Sequence, residues 1–388
     1  MEYKRIFLLI IDSLGVGEAL DAINYNDIGA NTLGHIKDNY DLFVPNLQKL
    51  GFLNTINMDE NDNVDAYYTI ARPTNPGKDT LNGHYEIFGV RNNVQFKSFA
   101  EKGFPRELLD QIELLTRRRV IGNKNCGGNE IIRELGEREM EFKSLIVYTS
   151  NGSNLQIAAH EDVIPVSELY EDAEKIRRIT RVEEWKIGRV IACPFTGTNP
   201  RDFRFTNERQ DYALKPPTKS VMNLFKEKEL SVIRIGKIAE IFDYEVITKV
   251  IKAKDNSEAL NKLGDIMNKD FNGLCCVNLN DFDNWGHKRD LDEYAKCIEE
   301  FDVEIPMILN RLETDDLLIM TADHGCDPTF EGTHHTRENV PVIIYGRNLK
   351  EPKKLKILDT MADIGATIAD NFDVEKPPIG ESFLDKLK

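Results

Sequence analysis

At residues 317–335 the chain reads LLIMTADHGCDPTFEGTHH, a short apolar run that stops at an Asp-His pair and holds three of the seven histidines in the protein. A run of this length, ended by polar residues and a glycine, fits a buried strand of a parallel sheet. The pattern recurs: IFLLII (6–11) runs into DSLGVG, LCCVNL (274–279) runs into NDFDNWGH, and VPVIIYG (340–346) completes the set. Between these runs, apolar spacing predicts helices over 257–269, with Leu260, Leu263, Ile266 and Met267, and over 291–312, with Tyr294, Ile298 and Ile305. A further helix is expected up to Ile368, capped by Asp359. Alternating strands and helices imply an α/β fold with a mostly parallel sheet flanked by helices.

The middle third reads differently. LIVYTS, QIAAHE, KIGRVIACPF and FRFT are separated by charged segments and one helical stretch at 168–178, and a breaker cluster of Lys215, Pro216 and Pro217 follows. The expectation is a smaller α+β domain inserted at 93–217, with residues 1–92 and 218–388 forming the core. A chain of 388 residues exceeds what one hydrophobic core usually fills, about 250 to 300 residues.

Composition narrows the function. The net charge is -16, and no basic run exceeds Arg117, Arg118 and Arg119, so a nucleic-acid surface is not expected. Lys4 and Arg5 precede IFLLII, but six apolar residues ending at Asp12 are too few for a signal peptide or a membrane span. Six cysteines without a CxxC pair fit reduced thiols of the cytoplasm.

The chemistry-bearing residues fall at the strand ends, where open α/β sheets bind ligands. Asp12 follows the first run, Asp283 and His287 follow the third-quarter run, and Asp323 and His324 follow LLIMT; His335 comes close enough for a loop to return it. One Asp after a strand is commonly a turn or cap residue. A mixed Asp and His set at three strand ends suits divalent zinc or manganese, and more than four ligands implies two ions about 3.5 to 4 Å apart. In NPGKDTLNGHYE (75–86) Thr80 follows Asp79 and precedes Gly83 and His84. Asp79 or Thr80 suits a helix N-cap, and a metal-bound Thr80 hydroxyl at that helix start would be an activated nucleophile for phosphorus. GVGEAL (15–20) has Leu20 where a dinucleotide loop needs its third glycine, which excludes a Rossmann reading.

Taken together, Asp12, VPNLQKLG (44–51), Thr80 with Gly83 and His84, Asp283 with His287, and the Asp323–His324 pair followed by His335 resemble the alkaline-phosphatase superfamily. GKDTLNGHYEIFG, YTSNGSNLQIAAHE, DYALKPP, IGKIAEIF and TADHGCDPTFEGTHHTRENVPV resemble its phosphopentomutase family over most of the chain. The resemblance implies an alkaline-phosphatase-like core, an inserted cap domain, and interconversion of (deoxy)ribose 1-phosphate and 5-phosphate through a phosphothreonine and a bisphosphate. It implies Thr80 as phosphoryl carrier. One manganese ion would lie on Asp12, Asp323, His324 and Thr80, and a second on Asp283, His287 and His335. Ser150, Gly152, Arg189, Arg204 and Lys237 would face the pentose phosphate, and a sugar bisphosphate is the candidate activator. The family commonly has Ser-Ala-Asp-Ser where this chain has Ser150, Asn151, Gly152 and Ser153, and Ala-Arg-Pro where it has Ala192, Cys193 and Pro194. Both departures fall in the sugar pocket. The Asp283–His287 spacing is one residue shorter than in the mutase and resembles that of cofactor-independent phosphoglycerate mutase. A related phosphomutase or phosphatase, or a catalytically silent metal-binding protein, stands as the alternative reading.

Overall fold

Each continuous apolar run folds as a strand with both faces covered. The computed structural model describes residues 2–61, 63–93, 95–150, 153–236, 242 and 247–387. Along the chain its strands are β1 (Arg5–Ile11), β2 (Tyr67–Ala71), β3 (Val120–Asn125), β4 (Leu145–Thr149), β5 (Asn154–His160), β6 (Arg189–Thr196), β7 (Arg204–Phe205), β8 (Gln210–Ala213), β9 (Ser231–Ile235), β10 (Lys249–Ile251), β11 (Gly273–Leu279), β12 (Asp316–Thr321) and β13 (Val340–Tyr345). Every residue of β1, β11 and β12 is buried.

Contacts divide the chain into two compact units, Met1–Gln95 with Pro216–Lys388, and Phe96–Lys215. The first unit is built on a sheet of order β10-β9-β11-β1-β12-β13-β2. Its strands run parallel from β10 to β12. VPVIIYG departs from the parallel expectation: β13 is antiparallel to both β12 and β2. A parallel return needs a crossover, usually a helix. Residues 322–339 form none, because they fold as the loop that carries Asp323, His324 and His335.

Two of the expected helices start where side chains cap them. Asp255 accepts from Glu258 N ahead of Asn256–Met267, and Asp290 accepts from Glu293 N ahead of Leu291–Arg311. Asp359 does not play this part. The helix begins at Ala362, because the buried Glu86 carboxylate binds Thr360 Oγ and Met361 N and holds both residues outside the helix.

In the Phe96–Lys215 unit a sheet of order β3-β4-β5-β6-β7, with β8 on β6, packs one face on Leu108, Ile112, Leu169 and Ile176 and the other on Ile131, Ile132 and Phe203. Beside the second face lies Glu139, 0 % exposed. Its Oε2 accepts from His160 N at 3.2 Å, and its Oε1 has no hydrogen-bond partner among the described residues. Burial pushes its pKa up to about 8, against the weaker pull of the His160 N–H and Arg118. The folded state therefore binds this proton more tightly than the unfolded chain. The contribution to stability is full below about 4.5 and is lost as pH rises through about 8, at about 1.4 kcal/mol per pKa unit. Glu139→Gln is expected to melt progressively above wild type as pH goes from 5 to 8.5. Superimposable melting curves across that range would show that the site is wet and the carboxylate charged.

Candidate metal centre

Three neighbouring parallel strands, β11, β1 and β12, end at one edge of the sheet. Asp12 directly follows β1, and Asp323 and His324 follow β12. After β11 the chain enters the helix Asp281–Lys288, where Asp283 and His287 stand one turn apart on the same face. The loop then brings in His335.

Two groups result. In one, His324 Nε2 lies 3.5 Å from Asp12 Oδ1, 3.3 Å from Asp323 Oδ2 and 3.2 Å from Thr80 Oγ. In the other, Asp283 Oδ1 lies 3.5 Å from His287 Nε2 and 3.1 Å from His335 Nε2. The groups adjoin, since the His324 and His335 rings stack with centroids 3.8 Å apart. Thr80 is the first residue of the helix Thr80–Ile87, and Asp79 is its cap, accepting from Asn82 N.

Each carboxylate of the first group is tied back by one oxygen, which aims the other inward. Asn278 Nδ2 donates to Asp12 Oδ2 at 2.8 Å, and Ser13 N donates to Asp323 Oδ1 at 3.2 Å. Ser13 holds a left-handed φ of 74°, a strained value for a residue with a side chain, and its Oγ lies 3.0 Å from the buried Tyr294 hydroxyl. Two glycines allow the elements to close. A Cβ on Gly83 would sit 2.1 Å from the Asp323 carbonyl oxygen, and one on Gly286 would sit 2.8 Å from Cys326 Cβ.

Hydrogen bonding outside the groups tests whether they fit a cation. His287 Nδ1 lies 2.6 Å from the Thr333 carbonyl and His335 Nδ1 lies 2.8 Å from the Lys78 carbonyl. A carbonyl can only accept, so both Nδ1 atoms carry the proton and the Nε2 lone pairs face inward. Those two Nε2 atoms are 3.0 Å apart, with the Asp283 carboxylate beside them. Burial and the neighbouring His324 push the His335 pKa down to about 3, so a shared proton is a poor substitute for a metal. His324 has the same arrangement, with Nδ1 3.1 Å from the Gly325 carbonyl. Burial opposes the charge on Asp323, but His324 and His84 outweigh it and hold the carboxyl down to about 2. Converging lone pairs from carboxylates and imidazoles suit divalent ions, and the residues fit them.

Of the residues singled out from sequence, Asp12, Thr80, Asp283, His287, Asp323, His324 and His335 come together here. Ser150, Arg189 and Arg204 lie in the Phe96–Lys215 unit. There Ser150 Oγ accepts from Gln156 Nε2, Arg189 faces the buried Asp211 carboxylate at 3.6 Å, and Arg204 is exposed on β7. Gly152 and Lys237 lie outside the described residues. Two arginine clamps are not among the residues that the sequence singles out. Arg289 Nε and Nη2 donate to the Gly332 and His334 carbonyls at 2.6 Å each. Arg337 binds the Pro73, Asn75 and Gly77 carbonyls ahead of Thr80. The available signal was position, since each arginine stands two residues after a histidine of the second group.

Fold and site define an α/β metalloenzyme with an alkaline-phosphatase-like core. The chain belongs to the Metalloenzyme superfamily, which it matches over residues 4–376. Among solved structures, it is similar to the PH0037 protein from Pyrococcus horikoshii at 13% identity and a TM-score of 0.50, over 96% of this chain and 98% of that one. A phosphoglycerate mutase of Leishmania mexicana, crystallised at low cobalt concentration, aligns at 12% identity and a TM-score of 0.48 over 98% and 97% of the two chains. An alkaline phosphatase superfamily protein from Vibrio parahaemolyticus aligns at 11% identity and 0.45 over 99% and 70%. Among the described residues no helix is long and apolar enough to cross a membrane.

Proposed function

We propose that the chain is a metal-dependent phosphomutase that carries a phosphoryl group on Thr80 and interconverts (deoxy)ribose 1-phosphate and (deoxy)ribose 5-phosphate. The observation that carries this reading is Thr80, 4 % exposed at a helix N-terminus, with its hydroxyl 3.2 Å from His324 Nε2. A structural N-cap has no need of such a neighbour, and here Asp79 already does the capping. A silent metal-binding protein would equally have no use for a hydroxyl at that point.

On this reading Asp12, Asp323, His324 and Thr80 hold one manganese ion, and Asp283, His287 and His335 hold the other. Bound there, the ions would lower the Thr80 pKa and neutralise phosphoryl oxygens. The backbone N–H groups at the start of the Thr80 helix add to that neutralisation. Phosphorylated Thr80 gives its phosphoryl group to the free hydroxyl of a pentose monophosphate; the Oγ–P bond breaks as the new O–P bond forms, and the proton of that hydroxyl ends on Thr80 Oγ. The resulting bisphosphate returns its other phosphoryl group to Thr80. Water must be kept out during the exchange, and the inserted domain at 93–217 is assigned that role as a cap. Ser150, Gly152, Arg189, Arg204 and Lys237 are assigned to the pentose phosphate, with a sugar bisphosphate as activator. Six buried cysteines, none of them in a disulfide, suit a reducing compartment, so placement in the cytoplasm belongs to the same proposal.

Manganese-loaded protein incubated with ribose 1-phosphate and followed by phosphorus NMR should produce ribose 5-phosphate with little free phosphate. Release of free phosphate alone would make the protein a phosphatase of the same superfamily, and formation of neither product would exclude ribose 1-phosphate as the substrate.

A further inference from the structure

The helix Thr80–Ile87 places two consecutive residues against Asp323. Gly83 lets the helix backbone reach the Asp323 carbonyl, and His84 follows it into the interior at 0 % exposure. His84 Nδ1 lies 2.8 Å from the Thr80 carbonyl oxygen and 3.2 Å from Asp323 Oδ2. Both neighbours are acceptors, so Nδ1 carries the proton; it donates to the Thr80 carbonyl and stands beside Asp323 Oδ2, which accepts no hydrogen bond among the described residues. The other ring nitrogen, Nε2, is buried and has no hydrogen-bond partner among the described residues. Buried polar groups are almost always paired, and an exception calls for an explanation. A histidine kept only for packing could be replaced by an apolar ring without leaving a bare nitrogen. This one leaves Nε2 unsatisfied while Nδ1–H binds the carbonyl of the residue carrying the nucleophile and lies beside a carboxylate of the first group.

We propose that His84 is a positioning residue whose Nδ1–H, bonded to the Thr80 carbonyl and facing Asp323 Oδ2, sets the nucleophile and the Asp12–Asp323–His324 group in register for one ion without touching the Asp283–His287–His335 group. The proposal rests on the reading of these groups as two metal sites with Thr80 beside the first. It deepens that reading by making the two sites separately adjustable. Partners that orient metal-binding side chains typically change affinity by about 10- to 100-fold when removed.

The test is a titration of the full-length apoprotein with Mn2+ alone, following free Mn2+ by electron paramagnetic resonance. Wild type should show two sites. His84→Phe keeps the ring but not the donor, and should weaken one site about 10- to 100-fold while the other holds. His84→Asn places an amide N–H where Nδ1 stood and should restore the lost affinity. His84→Gln places it near Nε2 and should not. The Asn and Gln comparison stands even where the Phe variant folds poorly, and melting curves of the apoproteins report folding independently. Two unchanged sites in His84→Phe, equal weakening of both sites, or Asn and Gln behaving alike would overturn the positioning role and leave the two-metal reading standing. A wild-type protein that binds no Mn2+ would overturn the metal-site reading, and the positioning role with it.

Discussion

Thr80→Ala is expected to lower phosphoryl transfer by about ten-thousand-fold or more while the protein stays folded and keeps most of its metal affinity. The size follows from removing a covalent carrier, because loss of a nucleophile in enzymes that react through it leaves only binding and electrostatic stabilisation. Metal affinity should largely survive, since Asp12, Asp323 and His324 still converge and only one oxygen is lost. Folding should survive too, because Asp79, not Thr80, caps the helix. Thr80→Ser retains a hydroxyl without the buried methyl group, and should keep measurable transfer at a reduced rate. Peptide mapping of the phosphorylated wild type should find the group on Thr80 and on no other hydroxyl. Substantial turnover in Thr80→Ala would rule out the covalent route.

The strand ends were legible because apolar runs that stop at Asp and His leave little choice of structure. Burial on both faces demands continuous apolar residues, and β1, β11 and β12 show them. The residues that hold the site in place were not legible. Arg289 and Arg337 work by donating to loop carbonyls, and a carbonyl has no sequence signature. Asn278 sits in the apolar run of β11 and looks like an interruption until its amide is seen on Asp12. The direction of β13 was misread because a buried strand has the same composition in either orientation, and only the helix-free 322–339 connection settles it. Asp359 failed as a cap for a related reason: Glu86, far away in sequence, had already bound the next two residues.

The adjacent histidines at the end of the loop should separate cleanly. His335 Nε2 faces Asp283 Oδ1 at 3.1 Å and His287 Nε2 at 3.0 Å, while its Nδ1 is fixed by the Lys78 carbonyl at 2.8 Å. His334 is exposed and takes part through its backbone, with its carbonyl accepting from Arg289 Nη2 at 2.6 Å. Alanine at 334 keeps that carbonyl. Alanine at 335 leaves the second group with Asp283 and His287 alone, fewer than the three protein ligands that a catalytic zinc-type site usually retains. It also frees the Lys78 carbonyl two residues before Thr80, so the nucleophile loop should loosen as well. His335→Ala is therefore expected to lose one of two bound ions after gel filtration, read by elemental analysis, and to lose phosphoryl transfer by about a thousand-fold or more, as for a displaced catalytic group. His334→Ala should keep both ions and near-normal turnover. Equal metal loss in the two variants would sink the assignment of His335 and point to the loop backbone, held by Arg289, as the element on which the site depends.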